Sequence, residues 1–143
     1  MNKNGLVAIV GAIVGALLVV IYHIVIPPFP RLPVNCSPAN CIPVWVIGNK
    51  IQTNGVFERQ GHGVIFWQIQ TAGYSFPQNG IEFPTNKPTH HAPAGEFTDC
   101  NPMPRDNTRF QCNARGTMGT YGYWVRVSGF SGLLELDPFI INN

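Results

Sequence analysis

From Gly5 to Ile26 the chain reads GLVAIVGAIVGALLVVIYHIVI, without one Asp, Glu, Lys or Arg. At about 1.5 Å of rise per helical residue, this stretch is long enough to cross a hydrocarbon core of about 30 Å. The sequence therefore predicts an N-terminal transmembrane anchor over residues 1–26. A cleaved secretory signal is the competing reading, but its apolar region is about 7–15 residues long and ends in a small-x-small site. Here the apolar stretch is longer and runs directly into Pro27-Pro28-Phe29-Pro30-Arg31-Leu32-Pro33, which offers no such site. Asn35 stands before Cys36, where a lipoprotein needs a small side chain. Val10 occupies the place at which a pilin stem after Gly5 would carry Glu.

Lys3 and the α-amino group flank one side of the span, and Arg31 alone flanks the other over the nearest residues. A short, positively charged N-terminal tail favours the cytoplasm, so residues from Pro27 onward are expected on the periplasmic side of a bacterial inner membrane. Ala8, Gly11, Ala12, Gly15 and Ala16 repeat at intervals that place small side chains on one broad helix face. Such a face lets a second helix approach closely, which points to other transmembrane subunits as partners, beside the lipid bilayer itself. Tyr22 and His23 fall near the outer headgroups, and Phe29 follows in the stalk; these are candidate interface residues. A histidine at that depth can hold a haem or chlorophyll, but interfacial water already satisfies its ring, and no cofactor is assigned.

Residues 27–33 hold four prolines in seven positions. They predict an extended, stiff stalk of roughly 20 Å at about 3.1 Å per residue. The remaining residues, 34–143, have the size of one small domain. Nine Lys and Arg balance seven Asp and Glu over the whole chain, with no run of either sign. That excludes the basic stripe of a nucleic-acid binder and the juxtamembrane cluster of an anionic-lipid binder.

Beyond the stalk the hydrophobic period changes to two. Val44–Ile47, Gly63–Gln70 and Thr120–Val127 are rich in β-branched and aromatic residues, and Leu133–Leu136 is largely leucine. Turn signals stand between them at Gly48-Asn49, Asn54-Gly55, Pro77–Gly80 and Ser128-Gly129. The pattern predicts a mainly β domain, an antiparallel Ig-like or Greek-key β-sandwich, with helix confined to the anchor. Thr85 to Arg109, broken by prolines, is expected to be the least regular segment and the first place to look for a partner contact.

All four cysteines, Cys36, Cys41, Cys100 and Cys112, lie in the exported part. An even count in an oxidising compartment favours two disulfides. Of three possible connectivities the local one, Cys36 with Cys41 and Cys100 with Cys112, is expected, because each bond closes a Pro- and Asn-rich loop. A zinc site built from these thiols with His90 and His91 is disfavoured by the wide spacing of the second pair.

No catalytic signature appears. There is no G-x-S-x-G elbow, no H-E-x-x-H and no Gly-rich phosphate loop. Cys112 and Met118 have the look of a blue-copper loop, but the intervening His is missing and no His follows His91. His62 and the His90-His91 pair read as turn residues. Trp45, Phe66, Trp67, Tyr121, Tyr123 and Trp124 suggest either a carbohydrate platform or sandwich core, and core is the simpler account. In each adjacent pair, Phe66-Trp67 and Tyr123-Trp124, one ring faces outward on a strand. Trp67 and Trp124 are assigned as the candidate outward contacts.

The segments Val64 to Ile81, Tyr121 to Val127 and Leu136 to Asn142 resemble a class of small bacterial β-sandwich proteins, sometimes called the DP-EP family. These proteins end in an Asp-Pro strand and an Asn. The present chain has Asp137-Pro138-Phe139-Ile140 where the name-giving motif has Asp-Pro-Glu-Pro. The resemblance covers about half of the exported domain and implies a sandwich with a C-terminal strand, but no activity and no catalytic residues. Together these readings predict a non-catalytic, single-pass accessory subunit of a multi-subunit membrane complex, such as a respiratory or photosynthetic reaction-centre and antenna assembly. The alternative is a free-standing, membrane-anchored binding module for a sugar, peptide or metal ion.

Overall fold

The computed structural model describes Cys36 and residues 40–54, 56–86 and 89–143. The expected anchor, its small-residue face, the stalk, Tyr22, His23 and Phe29 lie outside the described residues. Within them the chain is mainly β, with strands β1 Cys41–Ile47, β2 Lys50–Thr53, β3 Val56–Arg59, β4 Gly63–Ile69, β5 Ile81–Glu82 and β6 Phe97–Met103. There follow β7 Asp106–Ala114, β8 Gly119–Gly122, β9 Trp124–Gly129, β10 Gly132–Leu136 and β11 Phe139–Asn142. No helix among the described residues is long and apolar enough to cross a membrane.

Period-two patterning explains the strands. In β1, Ile42, Val44 and Val46 are buried while Trp45 is half-buried and Ile47 exposed. In β9, Val125 and Val127 are buried between the half-buried Trp124, Arg126 and Ser128. The strands form a five-stranded sheet, β2-β1-β4-β7-β6, and two three-stranded sheets, β10-β9-β5 and β3-β11-β8. All three contribute to one core: Ile42, Ile65, Trp67 and Phe110 come from the first sheet, Ile81, Val125 and Val127 from the second, and Ile140 from the third. This shared core is consistent with a β-sandwich. Complete burial of a side chain such as Phe110 contributes roughly 1.5–3 kcal/mol.

Most pairings are antiparallel, as expected, but two are not: β1 runs parallel to β4, and β3 parallel to β11. A parallel partner requires a crossover connection in place of a tight hairpin. Residues 48–62 supply it by turning back along β2 and then leaving the sheet through β3, which pairs elsewhere.

The segment expected to be least regular, Thr85 to Arg109, contains β6 and the start of β7, and this corrects the sequence reading. Pro102 is accommodated because β6 is an edge strand, and the register shifts between Thr98 and Asn101, where Asp99 adopts φ 52°. The Cys100–Cys112 disulfide clamps this edge to β7, with Cα atoms 4.2 Å apart. Cys36–Cys41 closes the entry to β1, so both disulfides have the expected local pairing.

A chain of aromatic rings threads the core. The Trp67 indole N–H donates to the Tyr123 hydroxyl at 3.3 Å, with ring centroids 5.6 Å apart. Tyr123 stacks on Phe83 at 5.2 Å, Phe83 stacks on Phe97 at 3.6 Å, and Phe97 meets the edge of Tyr121 at 5.5 Å. The chain of contacts therefore runs from the centre of the domain to the loop that follows β7.

Candidate functional site

Where that aromatic chain ends, three polar side chains, Glu96, Tyr121 and Asn142, converge on one short loop. β7 delivers the chain to Arg115, Gly116, Thr117 and Met118 before β8 begins. Glu96, immediately before β6, lies beneath this loop at 2 % exposure. Its Oε1 accepts the backbone N–H groups of Gly116 at 2.9 Å and Thr117 at 3.1 Å. The Thr117 carbonyl in turn accepts the Asn142 Nδ2–H at 2.7 Å and the Tyr121 hydroxyl at 2.9 Å. Asn142 is the register partner of Arg59 across the parallel β3–β11 pair. Glu96, Asn142 and Tyr121 thus hold Thr117 by both its N–H and its carbonyl, and Arg59 stands beside Asn142.

The electrostatics follow from burial. Burial pushes the Arg59 guanidinium below its ordinary value, and the Glu96 carboxylate opposes that shift. The Tyr121 hydroxyl is pushed up, first by burial and then by the same carboxylate. With its hydroxyl already shared between two carbonyls and Glu96 holding two backbone N–H groups, this constellation clamps a loop. Of the six buried side-chain atoms without a hydrogen-bond partner among the described residues, four belong to this cluster, Nε and Nη1 of Arg59, Oε2 of Glu96 and Oδ1 of Asn142; the others are Gln68 Oε1 and Arg109 Nε. Nothing in the sequence marks Arg59 or Glu96, and Asn142 enters there only as the Asn that ends the C-terminal strand. The one available signal is a Glu between Gly95 and Phe97 in a chain with only 11 % charged residues.

Other surfaces differ in character. On the outer face of the β10-β9-β5 sheet, Arg126 is held between Glu82 and Glu135, the latter at 2.6 Å, and lies over the Trp124 ring at 6.0 Å. These bonds, Glu82 first, raise the Arg126 pKa. At the end of the domain where β1 turns into β2 and β9 into β10, Ser131 Oγ donates to Asn49 Oδ1 at 2.7 Å and joins the two turns. Ile47, Phe130 and Leu133 sit at this end as large exposed apolar side chains, Phe130 being 94 % exposed.

The structure separates the remaining candidates. Trp124 lies half-buried on the outer face, beside Arg126. Trp67 does not: it is fully buried, because its alternation places it with Ile65 and Ile69 on the inner face, and Phe66 is the outward ring of that pair, covered by Arg109 at 5.5 Å. His62 occupies an exposed bend before β4, and His90-His91 an exposed bend in which the His90 ring meets the edge of Phe139 at 5.2 Å. Among the described residues no group of three His, Cys, Asp or Glu side chains is placed to hold a metal ion. Comparison with protein-family models and with characterised proteins gives no match.

Proposed function

We propose that this chain is a non-catalytic, single-pass accessory subunit of a bacterial membrane complex, anchored by residues 1–26 and carrying an Ig-like or Greek-key sandwich that docks on a periplasmic partner surface. The observation that carries the reading is the grouping of Ile47, Phe130 and Leu133 at the joined hairpin turns. Exposed apolar side chains of this size, collected in one place on a charge-poor surface, mark protein contacts more often than they mark solvent-facing turns. The small-residue face at Ala8, Gly11, Ala12, Gly15 and Ala16 supplies a second, membrane-embedded contact in the same reading. The resemblance to DP-EP proteins agrees with a domain whose residues are spent on architecture.

The test is extraction in a mild detergent followed by sizing and mass spectrometry. The subunit reading expects co-migration with other membrane subunits, and a lone monomer overturns it in favour of a free-standing binding module. Phe130→Ser with Leu133→Ser should release the exported domain from its partner without loss of folding, since neither side chain belongs to the core. Gly11→Leu with Gly15→Leu should loosen the membrane contact alone.

A further inference from the structure

We infer that β10 is a pairing edge for a second copy of this chain, the two β10 strands joining antiparallel about a twofold axis at Leu134. The inference is independent of the proposed docking role, because it engages the backbone of the strand and not the apolar side chains at the turns.

The direction of the β10 backbone groups follows from the neighbouring strand. Ser128 of β9 exchanges both of its backbone bonds with Ser75, and the Arg126 N–H donates to the Gly80 carbonyl. Both residues therefore turn away from β10, and their register partners Leu133 and Glu135 form the pairs of this ladder that share no hydrogen bond. In an antiparallel strand such residues direct N–H and C=O to the opposite side, which for β10 is the open edge of its sheet. Both residues are exposed, Leu133 at 60 %. β2, whose turn is tied to this hairpin through Asn49 and Ser131, belongs to another sheet.

Natural sheets protect open edges with proline, lysine, bulges or very short strands. Elsewhere in this domain those devices are present. β2 opens on Lys50, β5 has two residues and runs into Phe83-Pro84, and β6 contains Pro102 and a shifted register. β10 has five residues, no proline, no lysine and an unbroken register against β9. Its one charge, Glu135, is already paired with Arg126 at 2.6 Å.

The strand is complementary to itself. With the axis at Leu134, Leu133 of each copy lies opposite Glu135 of the other, so both residues exchange a pair of backbone bonds and every outward group of β10 is used. An axis at Glu135 would oppose two carboxylates, and like charges directly opposite are destabilising. An axis at Leu133 would set Glu135 against Ser131, in the turn beyond the strand. Pro138, which has no N–H to donate, bounds the pairing at its far end.

The test is amide exchange of the purified full chain in detergent micelles at increasing protein concentration. The Leu133 and Glu135 amides should exchange at least about tenfold more slowly once the dimer forms, and sedimentation should show that dimer. Glu135→Pro removes an N–H that bonds nothing within the chain and follows a residue already extended, so the fold should persist while the Leu133 protection and the dimer are lost. Glu135→Gln, which keeps the N–H and removes only the charge, should retain both. Gly11→Leu with Gly15→Leu, which loosens the helix contact alone, should retain them too. Amides at 133 and 135 that exchange equally fast at every concentration overturn the inference, whether or not the proline variant folds. So does protection that survives Glu135→Pro, protection that vanishes with the helix contact, or protection that appears only when other membrane subunits are present, which would assign the edge to a foreign strand.

Discussion

Substituting Gly116 by Ala puts the loop clamp to its most direct test. Gly116 has φ +91°, and a Cβ built there would stand 2.4 Å from the Gly61 carbonyl carbon, 2.5 Å from the His62 nitrogen and 2.7 Å from the Gly61 oxygen. These are backbone atoms, so no side-chain rotation relieves the clash. The backbone conformation alone costs an L-residue about 1–2 kcal/mol. Moving the loop away from Gly61 and His62 also stretches the two N–H bonds to the Glu96 carboxylate, and a hydrogen bond to a charged group contributes about 1.5–3 kcal/mol. Loss of one such bond gives a total of about 2.5–5 kcal/mol for Gly116→Ala. Gly132 provides the control: its φ is +86°, and nothing lies within 4 Å of the added Cβ. Gly132→Ala should therefore cost only the conformational 1–2 kcal/mol. Urea unfolding of the full chain in detergent micelles, followed through the fluorescence of buried Trp67, measures both, and an unchanged m-value licenses the comparison. If the two variants agree to within about 0.5 kcal/mol, neither the close approach nor the clamp contributes to stability as argued.

Three further outcomes are expected. Tyr123→Phe leaves the fully buried Trp67 N–H without its acceptor and should cost about 1–3 kcal/mol by the same denaturation assay; the double variant with Trp67→Phe should cost less than the sum of the two singles. Burial pushes the Tyr123 hydroxyl well above the ordinary tyrosine range, outweighing the opposing hydrogen bond from Trp67. The unfolded chain therefore loses this proton first. Stability attributable to Tyr123 is complete below about pH 10 and declines above it by up to about 1.4 kcal/mol per pH unit, a slope that Tyr123→Phe should remove in midpoints measured across that range. Removing Cys100–Cys112, whose cysteines are 12 residues apart, should cost about 3 kcal/mol by loop entropy, against about 2 kcal/mol for Cys36–Cys41 at a separation of 5. A reversed order of the two measured losses would show that loop closure does not govern these bonds.

The strands legible in the sequence were those whose two faces differ. Val44–Ile47 and Gly63–Gln70, rich in β-branched and aromatic residues, fall on β1 and β4, and the leucine-rich Leu133–Leu136 falls on β10. Thr120–Val127 marks the right region but merges β8 with β9, since nothing in Tyr121-Gly122-Tyr123-Trp124 shows that the chain leaves one sheet for another. β6 escaped notice because Thr98, Asp99, Asn101 and Pro102 look like loop residues; a disulfide and an antiparallel neighbour hold them extended in spite of that composition. The choice between Phe66 and Trp67 was also beyond the sequence, because alternation fixes that one ring points outward but not which. Arg59, Glu96 and Asn142 are far apart in the chain, and only the parallel register of β3 with β11 brings two of them side by side.

That register has a consequence for assembly of the domain. β3 has no partner other than β11 among the described strands, so Val56–Arg59 stays an open edge until residues 139–142 have emerged. A chain made from its N-terminal end presents this edge, with Phe57 on it, until its last strand is available. Strand pairing over such sequence distances is slow, and open edges are where nascent β chains aggregate. The β6–β7 hairpin, local in sequence and sealed by Cys100–Cys112, is the natural first structure. The Arg59–Asn142 seam is then the closing step of folding.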